Sequence, residues 1–173
     1  MNETINSMIK RRTIRKYKQE QITDGELNAV LEAGLYAPSG ANQQSAVFIV
    51  VQNKDVIEKL TKMNAEFFGK DIDTYYGAPT IVLVLADKNK RTPVEDGSLA
   101  LGNMYNAAYS LGLGACWVHR EKQMFESEEG LSLLKKWGVE GDFIGVGALT
   151  LGYPDCELPA PPARNDNRVF FVK

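Results

Sequence analysis

A single domain that mixes α-helices and β-strands is what this sequence predicts, on three observations. Residues 24–36 and 54–68 repeat apolar side chains at helical spacing. Residues 46–52, 80–86 and 144–153 are apolar runs of the kind that form buried strands. The length of 173 residues suffices for one real core, and no repeat, low-complexity stretch or domain boundary interrupts it, so residues 1–173 read as one domain.

The elements follow in order. Ile5, Met8 and Ile9 mark a short first helix over 3–11, whose last turn would bring Lys10, Arg11 and Arg12 to the negative end of the helix dipole. TIRKYK then reads as extended. Thr23 and Glu26 have capping-box spacing ahead of Leu27, Val30, Leu31 and Leu35, and Pro38 stops that helix. The loop PSGANQQS leads into the strand at 46–52. Val56, Leu60, Met63 and Phe67 share one side of a helix over 54–68, and Ala78-Pro79 opens the strand TIVLVLA. Residues 95–112, EDGSLALGNMYNAAYSLG, are apolar or small on nearly every side. A helix there is expected to be buried all round, in part against another subunit, because a domain of this size has little room to enclose it. GACWVH follows as a strand near 114–119. Ser127 opens a helix through about Trp137, with Gly138 as its C-terminal cap. IGVGALTLGY is the last core strand. The Pro-rich tail PDCELPAPPARNDN is extended and ends in VFFV, which is suited to add an edge strand, to this sheet or to a partner.

Composition excludes several function classes. With 20 basic against 22 acidic residues and a net charge of −2, the chain is no general cationic coat for nucleic acid. Two cysteines 40 residues apart, Cys116 and Cys156, and a single histidine, His119, do not make a zinc or iron–sulfur site, and reduced thiols are the simpler reading. The start MNETINSMIKRR has no apolar core of signal-peptide length, and no apolar run reaches the roughly 20 residues that span a bilayer. A cytoplasmic protein is expected. P-loop, GxGxxG, G-x-S-x-G and HExxH patterns are absent. A protein-borne triad lacks residues, and His119 reads as a packed or exposed side chain rather than a base, so no catalytic side chain is assigned. Any hard chemistry would arrive with a cofactor.

Two segments are candidates to hold one. KRRTIRKYK places six basic residues among nine. Arg11, Arg12 and Arg15, with Thr13 between them, offer charged forks and a hydroxyl suited to phosphate oxygens. A solvated basic face explains the same residues, and RNA binding would want more aromatics than Tyr17. APSGANQQS supplies backbone N–H groups, the Ser39 hydroxyl, and the amides of Asn42 and Gln44, which donate and accept at once. A plain polar loop after a helix is the alternative.

Taken together, RRTIRKY, then a capped helix ending APSGANQQ, then the strand FIVV, resemble the N-terminal signature of the FMN-dependent nitroreductase family. EDGSLALGNMYNAAYSLGLGACWV resembles the family's central helix, Gly-Leu-Gly turn and strand. IGVGALTLGYPD followed by the arginine of PAPPAR resembles its C-terminal end. The resemblance spans almost the whole chain in the right order. It implies an α+β sandwich, a central, mostly antiparallel sheet flanked by helices, that forms a homodimer through long helices with FMN at the subunit interface.

Carried onto this sequence, the resemblance puts Arg11, Thr13 and Arg15 on the phosphate and ribityl chain, with Arg12 near them and Arg164 closing on the phosphate. Pro38, Ser39 and Gly40 would line the flavin ring from the neighbouring subunit, and Asn42 and Gln44 would face its polar edge or the ribityl group. Cys116, Trp117 and Val118 would pass along the ring with backbone contacts near its reactive nitrogen. Lys16 and Lys18 remain plain surface. Many relatives carry Pro-Trp where this chain has Ser45-Ala46, and this short chain lacks the insertions that roof the pocket in larger members. The activity implied is a ping-pong transfer of electrons from NADH or NADPH to a nitroaromatic, a quinone or another small conjugated oxidant. Reductive dehalogenation within the same superfamily and a flavin-binding protein without turnover are the rivals.

Overall fold

The computed structural model describes residues 2–173. Its centre is a four-stranded antiparallel sheet in the order β1-β2-β4-β3, made of β1 (Ala46–Val51), β2 (Thr80–Asp87), β3 (Gly114–Val118) and β4 (Phe143–Gly152). The two inner strands are buried on both faces, which is why they read as continuous apolar runs instead of alternating ones. Side chains still alternate between faces. Val82, Val84, Ala86, Leu149 and Leu151 face one layer; Ile81, Leu83, Leu85 and Ala148 face the other.

The first layer is α2 (Asp24–Leu35) and α4 (Pro93–Ser110), which bury Leu27 and Val30, and Leu101, Met104 and Ala108. The second is α3 (Lys54–Phe68), α5 (Glu121–Glu126) and α6 (Glu128–Lys136), with Leu60, Met63, Met124, Phe125, Leu133 and Leu134. A bulge in β4 leaves Val146 without a partner between Val84↔Gly147 and Leu85↔Gly145. On either side of that bulge β4 is approached closely. A Cβ on Gly145 would lie 2.2 Å from the Glu121 carbonyl, and one on Gly147 would lie 2.3 Å from the Trp117 indole nitrogen.

Local chemistry sets the helix ends. Thr23 and Glu26 cap α2 reciprocally, Asn53 caps α3, and Ser127 caps α6. Gly138, at φ 71°, takes the left-handed turn after α6.

Four expectations are modified. The first helix, α1 (Glu3–Lys10), stops before the arginines; Arg11 is its C-cap, and Arg12 reaches back to the Ile9 carbonyl at 2.7 Å. The basic cluster therefore lies mostly beyond the helix. The small-residue helix begins earlier, at Pro93, and is not buried all round within the chain. Gly97, Ala100 and Met104 face the core, but Leu99 on the opposite side is 48% exposed. α5 was not anticipated, because six residues are too few to display a period. VFFV forms no strand: every residue from 155 to 173 is exposed, and Phe170 is 83% so.

Candidate functional site

The arginine segment runs along the outer side of β3. Ile14 donates its N–H to the Ala115 carbonyl at 2.9 Å, and Tyr17 pairs with Pro154 as an isolated bridge. Ile14 and Tyr17 anchor this stretch in the core, leaving their charged neighbours free to face outward. The Tyr17 hydroxyl is tied to Ile14 and Thr150, and its burial raises its pKa beyond any working pH.

Tyr105 of α4 organises the other side of the segment. Its ring lies 4.0 Å under the Arg11 guanidinium, and its hydroxyl donates to Thr13 Oγ1 at 2.6 Å. Arg11 Nη1 and Arg12 Nε are buried without a partner. None of the five ion pairs among the described residues uses Arg11, Arg12 or Arg15. Arg15 lies against Cys116 and over the Tyr76 ring at 5.6 Å. Lys16 pairs with Asp155 at the surface, as a plain surface lysine would.

β3 itself offers little side-chain chemistry. Burial pushes the Cys116 thiol pKa up, against the pull of Arg15, so it stays protonated. The Cys116 N–H donates to Thr150 Oγ1 at 3.1 Å and is already used. Trp117 lays its indole against Gly147, with Nε1 buried and unpartnered, and Val118 is buried on the opposite face. His119 is exposed, with its ring 5.5 Å from that of Trp117.

The second candidate loop is a rigid unit fixed to the start of α4. Ser39 Oγ accepts from the Gln44 N–H, and Gln44 Nε2 donates to Asn42 Oδ1. Ala41, Asn42 and Gln44 all have φ near +50°, a backbone that persists only when its surroundings impose it. Asp96 imposes it. Its carboxylate, 3% exposed, accepts from the Gly40 N–H at 2.9 Å, the Ser45 hydroxyl at 2.6 Å and the Thr92 hydroxyl at 2.9 Å. Burial opposes the charge, but these hydrogen bonds outweigh it and hold the carboxyl below its usual pKa. Gly40 has no room for a side chain, since a Cβ would sit 2.0 Å from Thr92 Oγ1. Ser45 therefore has a structural purpose that a proline in its place would not serve. Pro38 and Ser39 border a small pocket with Asp96, Ala100 and Phe48.

The two groups are held apart. Arg11 and Thr13 meet Tyr105, whereas the loop meets Asp96, nine residues earlier on the same helix. At about 1.5 Å per residue they are about 13 Å apart along the axis. Arg164 lies in the exposed tail and has no hydrogen bond or ion pair among the described residues.

Sequence reasoning missed Tyr105, Asp96 and a buried polar group behind β3. There Glu121, 0% exposed, accepts from the Tyr75 hydroxyl at 3.0 Å through Oε1, while Oε2 has no partner. Burial raises its pKa to about 7, against the smaller opposing pulls of a backbone hydrogen bond, Tyr75 and Arg120. Tyr105 carried no distinctive signal, since Tyr109 lies on the same helix. Asp96 and Glu121 had none either, because nothing local separates them from surface acids.

Known proteins fit this geometry. The family model described as "Nitroreductase family" matches residues 8–153, a span that includes both candidate segments and all four strands. A protein of Archaeoglobus fulgidus named "Putative NADH dehydrogenase/NAD(P)H nitroreductase" is 31% identical, over 91% of this chain and 88% of its own length. The structure of a nitroreductase with bound FMN from Bacteroides fragilis superposes with a TM-score of 0.91 at 29% identity, covering all of both chains. Another with bound FMN, from Desulfitobacterium hafniense, gives 0.89 at 25% identity, again over both chains in full. Fold, motif order and sequence agree: the chain belongs to the nitroreductase family.

Proposed function

We propose that this chain is an FMN-dependent oxidoreductase that takes an electron pair from NADH or NADPH and delivers it to a small conjugated acceptor, a nitroaromatic or a quinone. The observation that carries this reading is the pair of desolvated arginine donors. Arg11 Nη1 and Arg12 Nε are buried, cationic and without a carboxylate. A buried charge left unpaired is costly, and a phosphate dianion supplies the missing acceptors. The residues present therefore fit FMN. Arg11, Arg12, Thr13 and Arg15 would hold its phosphate end, and the segment 116–118 would flank its ring. The fixed loop of Pro38, Ser39, Gly40, Asn42 and Gln44 would face the ring or the ribityl group.

Because the two groups sit at opposite ends of α4, we read the working unit as a homodimer. Pairing two α4 helices about a two-fold axis sets the arginine end of each chain beside the loop end of its partner. Unsatisfied apolar surface supports this. α1 buries no residue within the chain, and Met8 and Ile9 on it, like Tyr36 after α2, are exposed. Arg164 on the free tail would then reach a phosphate only once the tail is laid down. The whole of 1–173 is read as one domain, and we place it in the cytoplasm; no helix among the described residues is long and apolar enough to cross a membrane.

Held at its phosphate end by Arg11, Arg12, Thr13 and Arg15 and faced by the loop of residues 38–44, FMN would supply two-electron redox chemistry between NAD(P)H and the acceptor. A quinone gains two electrons and two protons to become a hydroquinone; a nitro group takes the same and loses water to become a nitroso group. The chain's own contribution is to bind, orient and exclude. Tyr105 fixes Arg11 and Thr13, and Asp96 fixes the loop, so the donors are in position before the ligand arrives. No side chain need transfer a proton, which suits a β3 region whose thiol is held neutral by burial.

The test is spectroscopic. The purified protein should be yellow with noncovalent FMN, bleach with NADH or NADPH without oxygen, and recolour on adding 1,4-benzoquinone or nitrobenzene. Light scattering should give twice the chain mass. A colourless protein that does not quench FMN fluorescence would overturn the reading. Bleaching without recolouring by either acceptor would overturn the acceptor class alone.

A further inference from the structure

One cation at the far end of β3 has no part in the reading above. His119 and Arg120 follow Val118 directly, and Arg120 has φ 89°, a conformation that side-chain-bearing residues keep only where their surroundings hold it. Asn64 of α3, itself 0% exposed, does so. Its Nδ2 donates to the His119 carbonyl at 2.8 Å, and its Oδ1 accepts from Arg120 Nε at 2.8 Å. The Phe68 ring backs the guanidinium at 4.4 Å, and Lys70 adds a second positive charge 5.5 Å from the same ring.

The terminal nitrogens of this fixed fork are free. Among the described residues Arg120 donates no hydrogen bond except through Nε and belongs to no ion pair. The acid beside it in sequence, Glu121, turns inward to Tyr75 and makes no ion pair with it, although the guanidinium is near enough to favour the charged carboxylate. A planar guanidinium held at Nε and on one face leaves a pair of parallel donors, the arrangement that matches a carboxylate. Arg120 lies four residues past Cys116 and beyond the end of β3, at most about 13 Å along the chain. It is thus separated from Arg15, which touches Cys116. The exposed His119 ring lies between it and Trp117 in the chain.

We infer that Arg120 selects the electron acceptor: its fork receives the carboxylate of a planar aromatic acid, so that acidic nitroaromatics are favoured over neutral ones. The inference rests on the oxidoreductase reading, and its test separates the two. Holoenzyme is assayed with NADH against 4-nitrobenzoate and against nitrobenzene, in wild type, Arg120→Gln and Arg120→Gly. Glycine suits the positive φ, so that variant keeps the turn while losing the fork.

Both substitutions should raise the KM for 4-nitrobenzoate about tenfold to a hundredfold, leave kcat for it nearly unchanged and move the nitrobenzene KM by less than about twofold. Benzoate should compete with nitrobenzene in wild type and lose that effect in both variants. Equal changes for the two acceptors, or a rise confined to the KM for NADH, would overturn the inference and leave the oxidoreductase reading standing. So would weaker FMN binding with no change in preference between the acceptors. No turnover of either acceptor by the wild-type holoenzyme would overturn both.

Discussion

The Arg11 guanidinium sits 4.0 Å over the Tyr105 ring while the Tyr105 hydroxyl donates to Thr13 at 2.6 Å, so one tyrosine sets two residues of the proposed phosphate-binding end. The two contacts can be removed separately. Tyr105→Phe keeps the ring and loses the hydrogen bond, which should weaken FMN about twofold to tenfold. Tyr105→Ala loses both and should weaken it several-fold further. Equal dissociation constants for the two variants, read by quenching of FMN fluorescence, would show that the ring does not position Arg11.

Arg15 and Lys18 provide an internal comparison. Arg15 lies against Cys116 and Tyr76, on the expected course of the cofactor, whereas the Lys18 side chain is exposed. Arg15→Ala should cost about tenfold to a hundredfold in FMN affinity, the loss of one charge-assisted contact. Lys18→Ala should change it by less than about twofold. Titrations at one low ionic strength decide this, and equal losses would mean that the cluster acts only as a diffuse field.

Asp96 should be a point of failure for the loop. An amide in its place turns a donor toward groups that already donate, so Asp96→Asn should cost about 2–3 kcal/mol of stability in urea titration. FMN affinity should fall with it, because the loop loses its anchor. The sign with pH follows from the lowered pKa of the carboxyl. Its stabilisation is complete above the ordinary carboxylate range and is lost as pH falls through the depressed folded-state value. Wild type should therefore lose more stability than Asp96→Asn on acidification.

Glu121 should act in the opposite sense. Its folded-state pKa of about 7 stands above the ordinary 4.5. Between these values the folded chain keeps a proton that the unfolded chain has lost, so stability falls as pH rises through the window. The whole effect is on the order of 3 kcal/mol. Glu121→Gln imitates the protonated acid and can still accept from Tyr75. It should gain most of that amount at pH 8 and little at pH 5, by denaturant titration at both. The same gain at both pH values would show that the carboxyl does not titrate in this window.

Much of this architecture could be read from local chemistry. Thr23 and Glu26 announce a cap that forms as spaced, and Lys54–Phe68 is a helix at the bounds its apolar period gives. The inner strands are apolar because they are covered on both faces. Strand order was not legible: β2 sits beside β4 through contacts some 60 residues apart, which no local pattern encodes. The candidate site was legible by its donors and not by its supports. The arginines and the amide loop stand out in sequence, but Asp96 and Glu121 gain their character only from burial. Arg120 looks like any surface arginine until its φ and its hold on Asn64 are known.

The close approaches along β4 bear on how this chain tolerates inherited change. Gly145 and Gly147 admit the Glu121 backbone and the Trp117 indole at distances of 2.2 and 2.3 Å from where a Cβ would stand. A methyl group at either point collides with main chain or with a packed ring, neither of which yields cheaply. A strand that bears no residue of the proposed chemistry is thus closed to side chains at two points. In a library of random variants, alanine at 145 and 147 should vanish under selection for soluble protein alone, whereas changes at Arg15 or Arg120 should survive that sieve and be lost only under selection for cofactor retention or for use of an acidic acceptor. Which substitutions a population discards for want of a fold, and which for want of a reaction, would be sorted by position along a few neighbouring strands.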